Sequence, residues 1–158
     1  MNKLAWDYYQ KSAGFHDAIF LPDANVSWEE AKKQAPALYK GWYELCRLNV
    51  EDRKEFSCEH WFSVLPVAAK ANEGLLQFFD ALDDAAVVLV QEKPKAPYFP
   101  EFVYSFKDNS SFFRGGAPCT HEATDYLKHS FNALLPRDFL AFLRIHNGLI
   151  QGDAPQAF

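Results

Sequence analysis

Two Cys-x-His pairs, Cys58-Glu59-His60 and Cys119-Thr120-His121, carry the residue types best suited to chemistry in this chain. Together they offer four soft ligands, the donor set of a structural zinc site. Their spacing argues against that use. The first pair falls on a predicted helix, where positions i and i+2 point about 200° apart and cannot reach one ion. Neither pair follows a zinc-finger spacing, so the expectation is thiols beside unrelated histidines, with no metal and no cofactor. A cysteine nucleophile is the second possibility, with His60, His121 or His146 as base. Cys119 is best placed for it, just before the Thr120 helix cap, because a helix N-terminus favours the thiolate. Nothing in the sequence brings a base and an oxyanion donor to that thiol, and a packing or surface role is expected instead.

Other polar residues read more plainly. Asp80, Asp83 and Asp84 match no metal loop and are expected at a solvated helix end. Arg114 before Gly115-Gly116 offers a cation beside a glycine turn, yet the turn has no phosphate-loop pattern. His146 lies on the apolar face of a predicted last helix, where a histidine is usually a core or C-cap group bonded to backbone. Asn147 reads as a C-cap residue. In Ala96-Pro97-Tyr98-Phe99-Pro100, prolines hold two aromatics, which either cover the core or form a preorganised surface for a partner. The second reading is preferred. The candidate partner-binding residues are therefore Tyr98, Phe99, Arg114, His146 and Asn147.

Elements must position these residues. Leu4, Tyr8, Lys11 and Phe15 predict a short helix ending at Gly14, and a turn follows at Leu21-Pro22-Asp23. Ser27 and Glu30 have capping-box spacing, and Pro36 should break the helix they start. Leu38, Trp42, Leu45 and Cys46 continue a helical stripe. A further helix is expected over 50–65, with Phe56, His60 and Val64 on one side and Trp61 and Leu65 beside it, ended by Pro66. A short helix opens at Asn72-Glu73. Ala85–Gln91 is an apolar, β-branched run without helical period, as expected of a buried strand. Lys93–Pro100 holds three prolines and should be irregular. Phe102–Phe106 and Ser111–Arg114 read as a hairpin broken by Gly115-Gly116-Ala117-Pro118. Thr120 caps a helix with stripe Ala123, Tyr126, Leu127, Phe131 and Leu134. Pro136 then starts a ten- or eleven-residue helix carrying Phe139, Phe142, Leu143 and His146, with Gly148 as its left-handed terminator.

Composition bounds the function. The 158 residues are 49% hydrophobic and 16% aromatic, with 15 Phe, enough to offset ordering entropy by burial. The net charge of −5 is spread along the chain without a basic cluster, so nucleic-acid binding is not expected. The longest apolar run, Ala85–Val90, is too short for a bilayer, and the N-terminus lacks a signal-peptide core. A cytoplasmic protein is the expectation, and an odd set of three cysteines agrees with it.

The stretch Leu135-Pro136-x-Asp138-Phe139-x-x-Phe142-Leu143-x-x-x-Asn147-Gly148 resembles the core signature of the SUKH superfamily, which includes Smi/Knr-type cell-wall regulators. The preceding helix, Glu122 to Leu134, is similar to the family's helix leading into the Leu-Pro turn. The resemblance covers residues 120–152. It implies an α+β protein-interaction domain, non-enzymatic in most members, acting as regulatory scaffold or toxin-immunity protein. Family domains usually continue from Asn-Gly into several strands, so this chain is expected either to be truncated after its motif or to build its sheet from 85–114. The combined expectation is an α+β fold: a helical N-terminal region, 1–84, then a SUKH-like α+β region, 85–158, with a small antiparallel sheet and two C-terminal helices. Its partner would be another protein. If the chain is of the immunity type, a basic toxin complements its acidic surface.

Overall fold

The computed structural model describes residues 1–65, 72–131 and 135–152. The fold is α+β, built on a five-stranded antiparallel sheet in the order β1-β2-β3-β4-β5. The strands are β1 (Asp17–Phe20), β2 (Leu82–Gln91), β3 (Phe99–Phe106), β4 (Phe112–Gly116) and β5 (Asn147–Gly152). The helices are α1 (Lys3–Asp7), continued by a π-turn over Tyr8–Ser12, then α2 (Trp28–Gln34), α3 (Lys40–Leu45), α4 (Val50–Val64), α5 (Asn72–Asp80), α6 (His121–Ser130) and α7 (Arg137–Phe142).

Each sheet face has its own core, because side chains alternate along a strand. Val87, Leu89, Phe102 and Tyr104 face a helical layer that includes Leu45 of α3 and Trp61 of α4. Val88, Val90, Val103 and Phe112 face the opposite way and are covered by Ala5 and Tyr9 of the N-terminal segment. The expected division at residue 84 falls inside β2, β1 from the first region pairs with β2, and the helical-face core runs from Leu21 to Ile145.

Local signals placed several elements. The Ser27 hydroxyl accepts the Glu30 amide at 3.3 Å, and the Glu30 carboxylate accepts the Ser27 amide at 2.9 Å. The α2 helix ends at Gln34, before Pro36. The Asn49 side chain caps α4 by accepting the Asp52 amide at 3.0 Å. Thr120 caps α6 through the Ala123 amide at 3.2 Å.

Other expectations are corrected. The strand β1 was not foreseen. Tyr98 precedes β3, but Phe99 and Pro100 belong to it, paired with Val90 and Leu89; proline is tolerated there because it stands near the strand's start. The glycines Gly115 and Gly116 continue β4 instead of ending it. Most of the described α6 stripe faces outward: Ala123, Tyr126 (72%) and Phe131 are exposed and Leu127 is half-buried, while Thr124 is buried. The 3.6-residue period fixes which residues share a face, not which face meets the sheet. The last helix is six residues long, and His146 lies beyond it in the turn before β5. Gly148 has the expected left-handed backbone, φ +74°, but sits in β5 and does not terminate the helix. Pro66 and Leu134 lie outside the described residues.

Candidate functional site

Most residues expected to do chemistry are scattered or tied into the structure. On α4, Cys58 and His60 diverge as helical geometry requires: His60 borders an aromatic cleft, and Cys58 faces a shallow polar groove with Glu55 and Asp80. Cys119 donates its amide to the Leu143 carbonyl at 2.8 Å. Burial raises all three thiol pKa values, that of Cys46 to about 12, with Asp80 and Glu59 adding to the rise at Cys58. None is thus a thiolate at neutral pH. Among the described residues no group of three His, Cys, Asp or Glu side chains is placed to hold a metal ion.

Of the acidic set, Asp80 is exposed at the end of α5 as expected and Asp83 is half-buried, while Asp84 is corrected. Asp84 is buried at the start of β2, not solvated. Its carboxylate accepts a bidentate pair from Arg53 of α4 at 2.9 to 3.1 Å, the Ala85 amide at 2.8 Å and the Met1 α-ammonium at 2.9 Å. Arg53 is itself buried and donates to the Leu48 carbonyl at 2.8 Å. A buried carboxylate survives in this setting because its oxygens are fully engaged.

The five candidate partner-binding residues do not converge. The Tyr98 hydroxyl donates to Asp17, its amide donates to the Gln34 carbonyl at 2.9 Å, and its ring packs on the helical-face core. Phe99 stands exposed on the opposite face. Arg114 is not in a glycine anion turn: it pairs with Glu101 at 2.8 Å and lies over the Tyr8 ring, while the Tyr9 hydroxyl donates to the other Glu101 oxygen at 2.7 Å. Asn147 is exposed. His146 is fully buried. A carbonyl can only accept, so the 2.7 Å contact with the Gly148 carbonyl puts the proton on His146 Nδ1. Burial lowers its pKa to about 4, which keeps the ring neutral. Gly115 of β4 leaves room for it: a Cβ at residue 115 would stand 2.7 Å from His146 Nδ1 and 2.5 Å from the Gly148 oxygen.

The arrangement best suited to recognition was not foreseen. On the helical face, α3, α4, β3 and the turn before β5 enclose a cleft of about 220 Å³. The helix α4 presents Ser57 and Trp61 toward the sheet one turn apart. Trp61 is fixed by its indole N–H, which donates to Tyr104 Oη at 2.9 Å, and by edge-on packing against Tyr104 and His146. Trp42 of α3 packs edge-on against Phe102, with centroids 5.2 Å apart. The rings of Trp42, Trp61, Phe102 and Tyr104 form the walls, and Ile145 and Pro118 complete them. At the rim Tyr39 is 47% exposed and Phe56 60% exposed. Among the described residues Arg144 is the one charged side chain lining the cleft, with exposed His60 beside it, and loss of water around the His60 ring lowers its pKa. The sequence held a signal in the pairs 42/45, 57/61 and 102/104, but each reads equally as plain core.

The fold and cleft define an α+β chain with a preformed aromatic recess. It matches no protein-family model, and no curated protein or solved structure is significantly similar to it.

Proposed function

We propose that this chain is a non-enzymatic protein-interaction domain of SUKH type, a regulatory scaffold or immunity-like protein, whose aromatic cleft receives an anchor residue of the partner. The observation that carries this reading is the exposure of Tyr39 and Phe56 beside a recess walled by Trp42, Trp61 and Phe102. Aromatic anchors seated in desolvated pockets dominate binding energy, and the surrounding contacts exclude water. The raised thiol pKa values favour this reading over cysteine catalysis. Three free thiols suit a reducing, cytoplasmic setting. Among the described residues no helix is long and apolar enough to cross a membrane.

The test is affinity co-purification from the source cell with Phe56→Ala, Tyr39→Ala and, as a control on α6, Tyr126→Ala. The expected result is a discrete protein retained by the wild type and the control and depleted at least tenfold by the rim variants, whose folding is unchanged. Equal retention by all four proteins, or no discrete protein, refutes the reading.

A further inference from the structure

The inner wall of the cleft carries polar groups that an aliphatic anchor would leave unused. Ser57 lines it and is only 5% exposed, yet among the described residues its Oγ has no hydrogen-bond partner. A buried hydroxyl without a partner is costly and rare in folded proteins. It gains a partner if the occupant brings one. Tyr104, also on the wall, uses its oxygen to accept the Trp61 indole N–H and keeps its own proton to donate. The end nearer solvent has a different chemistry. Arg144 is exposed there, and among the described residues no carboxylate lines the cleft and the arginine ion pairs belong to Arg53 and Arg114. The volume sets the size: about 220 Å³ lies below the roughly 300–1,000 Å³ typical of clefts for drug-sized ligands. One ring fills it.

We infer that the cleft recognises a phenol or indole ring whose hydrogen-bonding group reaches Ser57 and whose attached chain places a carboxylate at Arg144: a tyrosine or tryptophan of the partner beside an acidic residue. This rests on the protein-interaction reading and names the partner group that reading leaves open. The aromatic walls supply affinity without selecting among rings; Ser57 selects a ring with a polar group, and Arg144 selects the neighbouring charge.

Three probes test it with the full chain: N-acetyl-Tyr-Glu-amide, 3-(4-hydroxyphenyl)propionate and 3-phenylpropionate. Binding is read by NMR from the Trp61 indole N–H resonance, which reports the cleft wall directly. Both hydroxylated probes are expected to shift this resonance saturably. Ser57→Ala should weaken each about threefold to tenfold, the effect of one hydrogen bond, and leave 3-phenylpropionate unaffected. Arg144→Gln should weaken all three and steepen none of their differences. Equal binding of the hydroxylated and plain rings, or insensitivity to Ser57→Ala, overturns the inference. Binding of 3-(4-hydroxyphenyl)propionate without the capped dipeptide also overturns it, because the occupant is then a free aromatic acid. A rim-dependent protein partner combined with no ring preference sinks this inference alone. Probe binding with no protein partner sinks the interaction reading and, with it, the assignment of the ring to a protein, a result distinct from the loss of ring preference.

Discussion

Protonation of His146 should make the fold acid-sensitive over a defined window. Its ring is fully buried against Trp61, Tyr104 and Phe142, with centroids 4.8 to 5.7 Å away, and its pKa falls from 6.5 to about 4. The unfolded chain takes up a proton on this side chain near pH 6.5, whereas the folded chain does so only near pH 4. Stability from this residue is therefore complete above pH 6.5 and is lost as the pH falls toward 4. At about 1.4 kcal/mol per pH unit, the full displacement is worth about 3 kcal/mol, of which about 2 kcal/mol is lost by pH 5. The reference is His146→Gln, which keeps an amide donor toward the Gly148 carbonyl but does not titrate in this range. Urea unfolding of both proteins between pH 7.5 and 5 isolates the histidine, since the carboxylates titrate equally in each. The stability difference between wild type and variant should shrink by about 2 kcal/mol from pH 7 to pH 5. Parallel stability curves, or an NMR titration of the His146 ring near pH 6.5, would refute the assignment of this ring as a desolvated core group.

Other substitutions probe the parts that hold the cleft. Arg53→Leu strands the Asp84 carboxylate with fewer donors and should lower unfolding free energy by about 3–5 kcal/mol, measured by denaturant titration. Ser57→Ala removes a buried hydroxyl with no partner among the described residues, so its melting temperature should equal or exceed that of the wild type. Gly115→Ala drives a methyl group into His146 and the Gly148 carbonyl and should destabilise by more than about 1 kcal/mol, with the His146 and Trp61 resonances displaced. Iodoacetamide at neutral pH should modify Cys58 and Cys119 slowly and buried Cys46 only at the rate of unfolding, read by mass spectrometry.

What the sequence disclosed was local. The Ser27–Glu30 capping box and the Thr120 cap are set by residues three apart, and both formed as expected. The β2 run of β-branched residues needed no partner to be recognised, whereas the α+β class was expected from the resemblance carried by residues 120–152. What stayed hidden depends on distant residues. Asp84 looks solvated until Arg53, far away in sequence, is placed beside it. Gly115-Gly116 looks like a break until β5 brings His146 against the glycine that accommodates it. The four residues of β1 carry too little pattern to stand out, and they become a strand because β2 offers an edge to pair with. The cleft is a space between α3, α4 and β3, so no single stretch encodes it.

The central claim, that the cleft is where this protein meets its partner, is tested most directly by photo-cross-linking in the source cell. A benzophenone amino acid would replace Phe56 at the rim and, in a second protein, Tyr126 on α6. The account predicts one discrete cross-linked protein from position 56, suppressed by excess N-acetyl-Tyr-Glu-amide, and none from position 126. A discrete product from position 126 with nothing from position 56 would contradict it.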